Sequence, residues 1–389
     1  MQVENQVLYF DHAASSWPKP PEVSEAMLRC LNEYAANPGR GGHRQAVQAS
    51  RVLFETRQQL ALLFNIRNAN DIAFTSNASA AINLALKGYL QPGQHVISTT
   101  IEHNSVRRPL EYLTKTIGLQ VTYVQANQAG HIDVRDVEAA LQPNTAMIAC
   151  SHASNLLGSV LPIAELGELA RNAEVLLVVD AAQTAGTYPI DVEAMGIHLL
   201  AFPGHKGLLG PQGTGGLYIH PEIELEPLIH GGTGSRSEDK DMPLVRPDRY
   251  EGGTPNTVGV AGLGAGVKVI HRETIERIRA KEWALSQSLM EGLLAINGIH
   301  VLGPSLGVER AGIVSFVMDT VDSAEVAYLL DKQYGIAVRS GYHCTPLGHE
   351  TAGTLDIGAV RASIGYSTTI EDVDALLSAV NAIKQQHHE

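Results

Sequence analysis

Two stretches carry residues of a type and placing that could do chemistry. Val178-Val179-Asp180-Ala181-Ala182-Gln183 ends an apolar run on a carboxylate. Burying such a group is costly unless a partner offsets it. Alone, Asp180 could be no more than a helix cap. Phe202-Pro203-Gly204-His205-Lys206-Gly207 then sets a lysine in a glycine-rich loop after another apolar run. Alone, that lysine would simply be solvated. An acid and an amine at the ends of neighbouring strands are, together, the pair that pyridoxal 5'-phosphate (PLP) requires. The amine forms a Schiff base, and the acid keeps the pyridine nitrogen protonated so that the ring can accept electrons. Asn77-Ala78-Ser79, between a predicted strand and a predicted helix, can offer backbone N–H groups and a hydroxyl to the phosphate. Ser79 by itself reads as an ordinary N-cap.

A cysteine adds a nucleophile. Cys344 lies in Tyr342-His343-Cys344-Thr345-Pro346-Leu347-Gly348-His349, a polar, turn-rich tract. That setting favours a reactive thiol over a packing residue. The thiolate is the reactive form, so a proton must leave locally. His343, His349 and Arg339 are near in sequence. Cys30, on a predicted helix, and Cys150, ending an apolar strand, read as packing residues. Cys344, His343 and His349 match no zinc spacing, and no metal site is expected.

These residues need a scaffold, and the chain supplies an alternating one. Helices are predicted over 22–36, 45–64 and 80–90. Short apolar strands are predicted at 71–75, 95–98, 120–124, 146–151, 175–179, 199–202 and 215–219. Strands alternating with helices argue for a mostly parallel sheet covered on both faces. After Glu251-Gly252-Gly253-Thr254-Pro255-Asn256, residues 258–296 read as one long helix. A smaller α+β unit follows, with segments at 313–318, 324–334, 336–339, 360–364 and 370–383. The length of 389 residues exceeds the roughly 250–300 at which single cores stop growing, so two domains are expected. The boundaries read as 15–257 and 258–389, joined by the N-terminal segment 1–14. A net charge of −13 gives no basic face for nucleic acid. Three cysteines fit a reducing compartment and no disulfide framework. No signal pattern opens the chain, and no apolar run approaches the roughly 20 residues of a membrane span. A cytoplasmic location is the simplest expectation.

The motifs recur in one order from Tyr9-Phe10-Asp11-His12-Ala13-Ala14 to Arg361-Ala362-Ser363. Between them lie Ile101-Glu102-His103-Asn104, Ser151-His152-Ala153-Ser154-Asn155, Gly204-His205-Lys206, Glu251 to Asn256 and Arg339-Ser340-Gly341-Tyr342-His343-Cys344. In this the chain resembles the cysteine desulfurases and selenocysteine lyases of the class V aminotransferase superfamily. The resemblance implies an α/β, fold-type I PLP-dependent transferase. It would have a large domain built on a mostly parallel seven-stranded sheet and a smaller α+β C-terminal domain. It also implies roles. Lys206 would carry PLP and later shuttle protons. Asp180 would pair with the pyridinium nitrogen, Gln183 would bond the ring hydroxyl side, and His103 would stack on the ring. Ala78, Ser79 and His205 would bind phosphate, with Thr254 reaching the phosphate of the neighbouring subunit. Asn155 would contact cofactor or substrate carboxylate. Arg361 would fork onto that carboxylate, with Arg339 nearby. Cys344 would be the nucleophile. Asn37-Pro38-Gly39-Arg40-Gly41-Gly42-His43 resembles a loop that reaches into the partner's site, or else is an ordinary glycine-rich loop.

Three departures stand out. Pro203 replaces a Ser or Thr that would donate to phosphate, which proline cannot do. Tyr366-Ser367-Thr368-Thr369 and Ala80 also differ from the usual pattern. The reading is a homodimer with shared active sites. It would convert L-cysteine to L-alanine, leave a persulfide on Cys344 and pass the sulfur to an acceptor protein or small thiol. The short stretch from Cys344 to Arg361 resembles the group whose nucleophile sits on a compact loop. Alternatives are a selenocysteine lyase, or a class V aminotransferase or epimerase in which Cys344 is incidental.

Overall fold

The computed structural model describes residues 7–39 and 41–387. Six N-terminal residues, Arg40 of the glycine-rich loop and the last two residues lie outside them. The chain runs β1 (Leu8–Tyr9), α1 (Pro21–Glu33), α2 (Arg44–Leu63), β2 (Ile72–Thr75), α3 (Ala78–Tyr89), β3 (His95–Thr99), α4 (Asn104–Ile117) and β4 (Gln120–Val124). Then come α5 (Val134–Ala139), β5 (Thr145–Ser151), α6 (Ile163–Asn172), β6 (Leu176–Asp180), β7 (Leu199–Pro203) and β8 (Gly215–Ile219). The remainder is α7 (Thr257–Glu273), α8 (Ile275–Leu294), β9 (Ile299–Val301), β10 (Ile313–Met318), α9 (Ser323–Tyr334), β11 (Ile336–Ala337), β12 (Arg339–Gly341), α10 (Pro346–Ala352), β13 (Ala359–Ser363) and α11 (Ile370–Gln386).

The large sheet has seven strands in the order β2-β8-β7-β6-β5-β3-β4. It is parallel except for β8, which runs against both β2 and β7. Every residue of β6, β7 and β8 is buried, as strands covered on both faces must be. Each large apolar side chain so buried stabilises the sheet by about 1.5–3 kcal/mol. Register sets Ser151 beside Asp180, and Asp180 beside Ala201. The carboxyl ends of β5, β6 and β7 therefore meet on one edge, where open α/β sheets bind their ligands.

The second sheet is antiparallel, in the order β12-β13-β10-β9. Its core contains Phe316, Val326, Leu376 and Phe10 from the N-terminal segment. That segment pairs with this unit, Leu8 opposite Ile336. α7 packs on α1 and α2. The long helix expected over 258–296 is two helices. The break is at Thr274, whose φ of 67° ends one helix while its side chain caps the next. The strand expected at 336–339 is likewise two, β11 and β12. Among the described residues, no helix is long and apolar enough to cross a membrane.

Candidate active site

A pocket of about 220 Å³ opens at the carboxyl ends of β5–β7. Asp180 ends β6 and is buried. Burial raises its pKa, opposed by the Ala182 N–H, which donates to Oδ1 over 2.9 Å, and by the charge of Lys206. Lys206 follows β7 in the loop Gly204–Gly207. Burial pulls its ammonium down to about 8, with Asp180 acting in the opposite sense and Arg361 and Arg339 reinforcing the fall. The glycines of this loop are tightly packed: a Cβ on Gly204 would meet Thr214 Oγ1 at 2.1 Å.

The opposite wall comes from α3 and α4. Asn77, not Ser79, caps α3, accepting from the Ala80 N–H over 2.9 Å. Ala78 and Ser79 thus lie in the first turn, whose N–H groups lack intrahelical partners. His103 caps α4, Nδ1 accepting from the Ser105 N–H over 3.0 Å. Burial lowers His103 to about 4, with Lys206 and Arg339 adding to the effect. Burial likewise lowers His205 to about 4. Both imidazoles are therefore neutral at pH 7.

Arg339 and Arg361 are direct cross-strand neighbours on β12 and β13, so both guanidiniums leave the same face of the sheet. Arg361 is not a free fork: Nη2 donates to Asp11 over 2.8 Å and Nη1 to the Asn155 carbonyl over 3.0 Å. Among the described residues, three buried polar atoms on this pocket have no protein partner: Asn155 Oδ1, His205 Nδ1 and Arg361 Nε.

Cys344 stands in a turn between β12 and α10 and is exposed. His343 and Cys344 have φ of 50° and 57°, and the Thr345 N–H donates to the Tyr342 carbonyl over 3.0 Å. Two positive φ values closed by that bond are the signature of a type I′ turn. Neither residue is glycine, so each costs about 1–3 kcal/mol of backbone strain. The turn is tied to the pocket walls. Asn155 Nδ2 donates to the His343 carbonyl over 2.6 Å, and the Asn104 N–H to the Cys344 carbonyl over 2.8 Å. Arg339 Nη2 lies 3.8 Å from Cys344 Sγ. His343 faces inward, away from Sγ, with its ring nitrogens against His349 and the Arg339 carbonyl.

Ala78, Ser79, His103, Asn155 and Asp180 thus share one pocket with Gln183, His205, Lys206, Arg339 and Arg361. Cys344 is not among the residues that line it; its turn adjoins the pocket through His343 and Arg339, which do. Two expected residues stand elsewhere. Thr254 lines a separate cleft with Arg57, Glu251 and Gly232. His43 caps α2 at an exposed site. Pro203 lines the pocket and has no N–H to donate. Sequence reasoning missed Ser105, whose Oγ is 2.6 Å from Ser79 Oγ and 2.9 Å from His103 Nδ1. It gave no role to Asp11, the partner of Arg361, or to Glu102. The buried Glu102 accepts from Ser151 N–H and Oγ, over 2.9 and 2.7 Å, and is pushed up to about 7 by burial. Both acids sit within the ordered motifs, which was the available signal. Among the described residues no group of three or more His, Cys, Asp or Glu could hold a metal ion.

The sequence model of the family Aminotransferase class-V matches residues 8–376. The chain belongs to the class-V aminotransferase family. Within it, a probable cysteine desulfurase of Methanothermobacter thermautotrophicus is 38% identical over 95% of this chain and 92% of its own length. The cysteine desulfurase of Haloferax volcanii is 31% identical over 97% and 90%. The apo structure of cysteine desulfurase from Thermococcus onnurineus NA1 superposes with a TM-score of 0.92 at 34% identity, covering 98% of this chain and 96% of that one. The cysteine desulfurase CsdA of Escherichia coli gives 0.89 at 28%, covering 98% and 95%.

Proposed function

We propose that this class-V chain is a PLP-dependent cysteine desulfurase, taking sulfur from L-cysteine and leaving L-alanine. The observation that carries the reading is the Cys344 turn: an exposed thiol beside Arg339, tied by backbone bonds to the walls of the Lys206 pocket. An aminotransferase needs no such thiol.

The residues present fit PLP. A buried acid and a half-buried amine line one pocket, and Asn155 Oδ1, His205 Nδ1 and Arg361 Nε, partnerless among the described residues, are what a polar ligand would satisfy. Lys206 would hold the aldehyde carbon and Asp180 the pyridine nitrogen. Gln183, whose Nε2 is 3.3 Å from the Ala13 carbonyl, would meet the ring hydroxyl. His103 would cover the ring face. Ala78, Ser79 and His205 would hold the phosphate, and the Ser105 hydroxyl would donate the hydrogen bond that Pro203 cannot. The cofactor supplies an electron sink for the substrate's α-carbon.

The protein's own residues do the rest. The paired guanidiniums of Arg339 and Arg361 draw the substrate carboxylate to their face. Lys206 Nζ, made less basic by burial, takes the Cα proton and later returns one. Cys344 Sγ forms a bond to the substrate's Sγ as the Cβ–Sγ bond breaks, which leaves a persulfide on Cys344. The exposure of the thiol suits delivery to a thiol acceptor. The Thr254 cleft supports a homodimer in which that residue serves the neighbouring subunit. The division at 257/258 into two domains belongs to the same reading. The separate core around Phe316 supports it, although α7 packs on α1 and α2.

The test is to supply L-cysteine with a reductant and measure alanine and sulfide together. Equal release of the two is expected. 3-Mercaptopyruvate, or racemised cysteine, formed without sulfide would turn the assignment to an aminotransferase or epimerase. A much faster rate on L-selenocysteine that survives Cys344→Ala would favour a selenocysteine lyase.

A further inference from the structure

Beneath the Cys344 turn lies a chain of side chains to which the desulfurase reading gives no part. His343 is buried, although its neighbour Cys344 is exposed. Its ring meets that of His349 edge to edge and nearly coplanar, with centroids 5.7 Å apart and planes at 15°. Tyr342 meets the His349 ring edge-on, at 5.6 Å and 77°. His343 Nε2 is 3.4 Å from the Arg339 carbonyl, and Nδ1 is 3.5 Å from His349 Nε2. His349 Nδ1 is 2.8 Å from the hydroxyl of the buried Thr354. Thr354 is itself fixed: its N–H donates to the His349 carbonyl over 2.8 Å, and its carbonyl accepts from the Gly358 N–H over 2.9 Å.

Donor counting gives this chain one direction. The Arg339 carbonyl can only accept, so the hydrogen of a neutral His343 is on Nε2. His343 Nδ1 then accepts, and His349 Nε2 donates to it. His349 Nδ1 accepts in turn from the Thr354 hydroxyl. Burial favours the neutral form of both rings, and it outweighs the pull of the Thr354 and Tyr342 carbonyls on His349. Both nitrogens of His343 are thereby committed, and neither remains to take a proton from Cys344.

The geometry points to a strut: Thr354 and His349 are positioning residues that act through the His343 ring to hold the strained turn on which Cys344 is presented. The turn's two positive φ values persist only if the surroundings over-determine them. Asn104 and Asn155 grip its carbonyls from the pocket side, and the strut grips the His343 ring from below. The bonds at 3.4 and 3.5 Å are long, so the strut depends on the short Thr354 bond and on the close packing of the His349 ring between His343 and Tyr342.

The catalytic part of this role rests on the desulfurase reading; the strut itself does not. Thr354→Val keeps the shape and removes the donor. In the PLP-loaded protein it should slow first-turnover persulfide formation about tenfold, since small misplacements of a reacting group are costly. Cofactor absorbance and L-cysteine binding should stay at wild-type levels. Amide hydrogen exchange over 342–345 should quicken, and Thr354→Ser should restore both properties. His349→Phe, which keeps a ring at this place and removes both nitrogens, should behave like Thr354→Val and stands in for it if that variant does not fold. Wild-type turnover and exchange in Thr354→Val would overturn the strut. So would failure of Thr354→Ser to rescue, or loss of cofactor and substrate binding along with turnover. If the wild type forms no persulfide, the desulfurase reading falls, and the exchange rates alone then decide for or against the strut.

Discussion

Lys206 lines the pocket and Cys344 stands on the adjoining turn, and their tasks are separable. The amine is half-buried and lowered to about 8, with the charge of Asp180 opposing the fall, while the thiol is exposed on a turn. Lys206→Ala should therefore abolish the visible absorbance of bound PLP. Cys344→Ser should keep that absorbance and reduce alanine release from L-cysteine by about 10³-fold or more, as removal of a nucleophile does. A Cys344→Ser enzyme that still releases sulfide with alanine would show the thiol to be incidental. Residue types at motif positions were enough to bring Lys206, Asp180, Gln183, Asn155 and both arginines to one pocket. They were not enough for Arg361's partner. Asp11 lies 350 positions away, and only folding of the N-terminal segment onto β13 brings the two together. His43 and Thr254 were read as reaching a neighbouring subunit, and a single chain sets neither in the Lys206 pocket. The inward turn of the His343 ring was also illegible, because it follows from the sign of φ at two residues that are not glycine.

At the scale of elements, the buried strands read well because continuous apolar runs have no other use in a covered sheet. The runs at 120–124 and 215–219 are the strands observed, and others shift by a residue or two. What periodicity could not supply was the break between α7 and α8. The apolar pattern carries through Thr274, but its φ of 67° and ψ of 143° leave the helix. A β-branched residue is strained there, and about 1–3 kcal/mol is stored. Thr274→Gly relieves it at the cost of backbone entropy and the capping bond to Arg277 N–H. The net effect should be a stabilisation of about 1 kcal/mol, seen as a higher melting temperature. An unchanged or lower melting point would mean that the cap outweighs the strain. Short helices such as α5 and α10 left too few turns for a recognisable stripe.

Over the whole molecule, stability is tied to pH by buried groups that the proposed chemistry does not use, although they adjoin Lys206. Glu282, on α8, lines a small cavity of about 40 Å³ with His12, Gln183 and Gly312. Burial pushes its carboxyl from the ordinary 4.5 up to about 8, with only Lys281 opposing. The folded protein thus keeps a proton there that the unfolded chain gives up above about 4.5. Its contribution is present in full below that value and is lost as pH rises through about 8. His12 works in the other window. Burial lowers it to about 4, so stability falls as pH drops from 6.5 towards that value. Glu282→Gln removes the first dependence and leaves the second. Each pKa unit corresponds to about 1.4 kcal/mol, so between about pH 5 and pH 8 the wild type should lose a few kcal/mol relative to Glu282→Gln. Melting curves of the two proteins at both pH values measure the difference directly. Curves that shift in parallel would show that Glu282 ionises as readily in the folded chain as outside it, and that the cavity is wetter than its walls suggest.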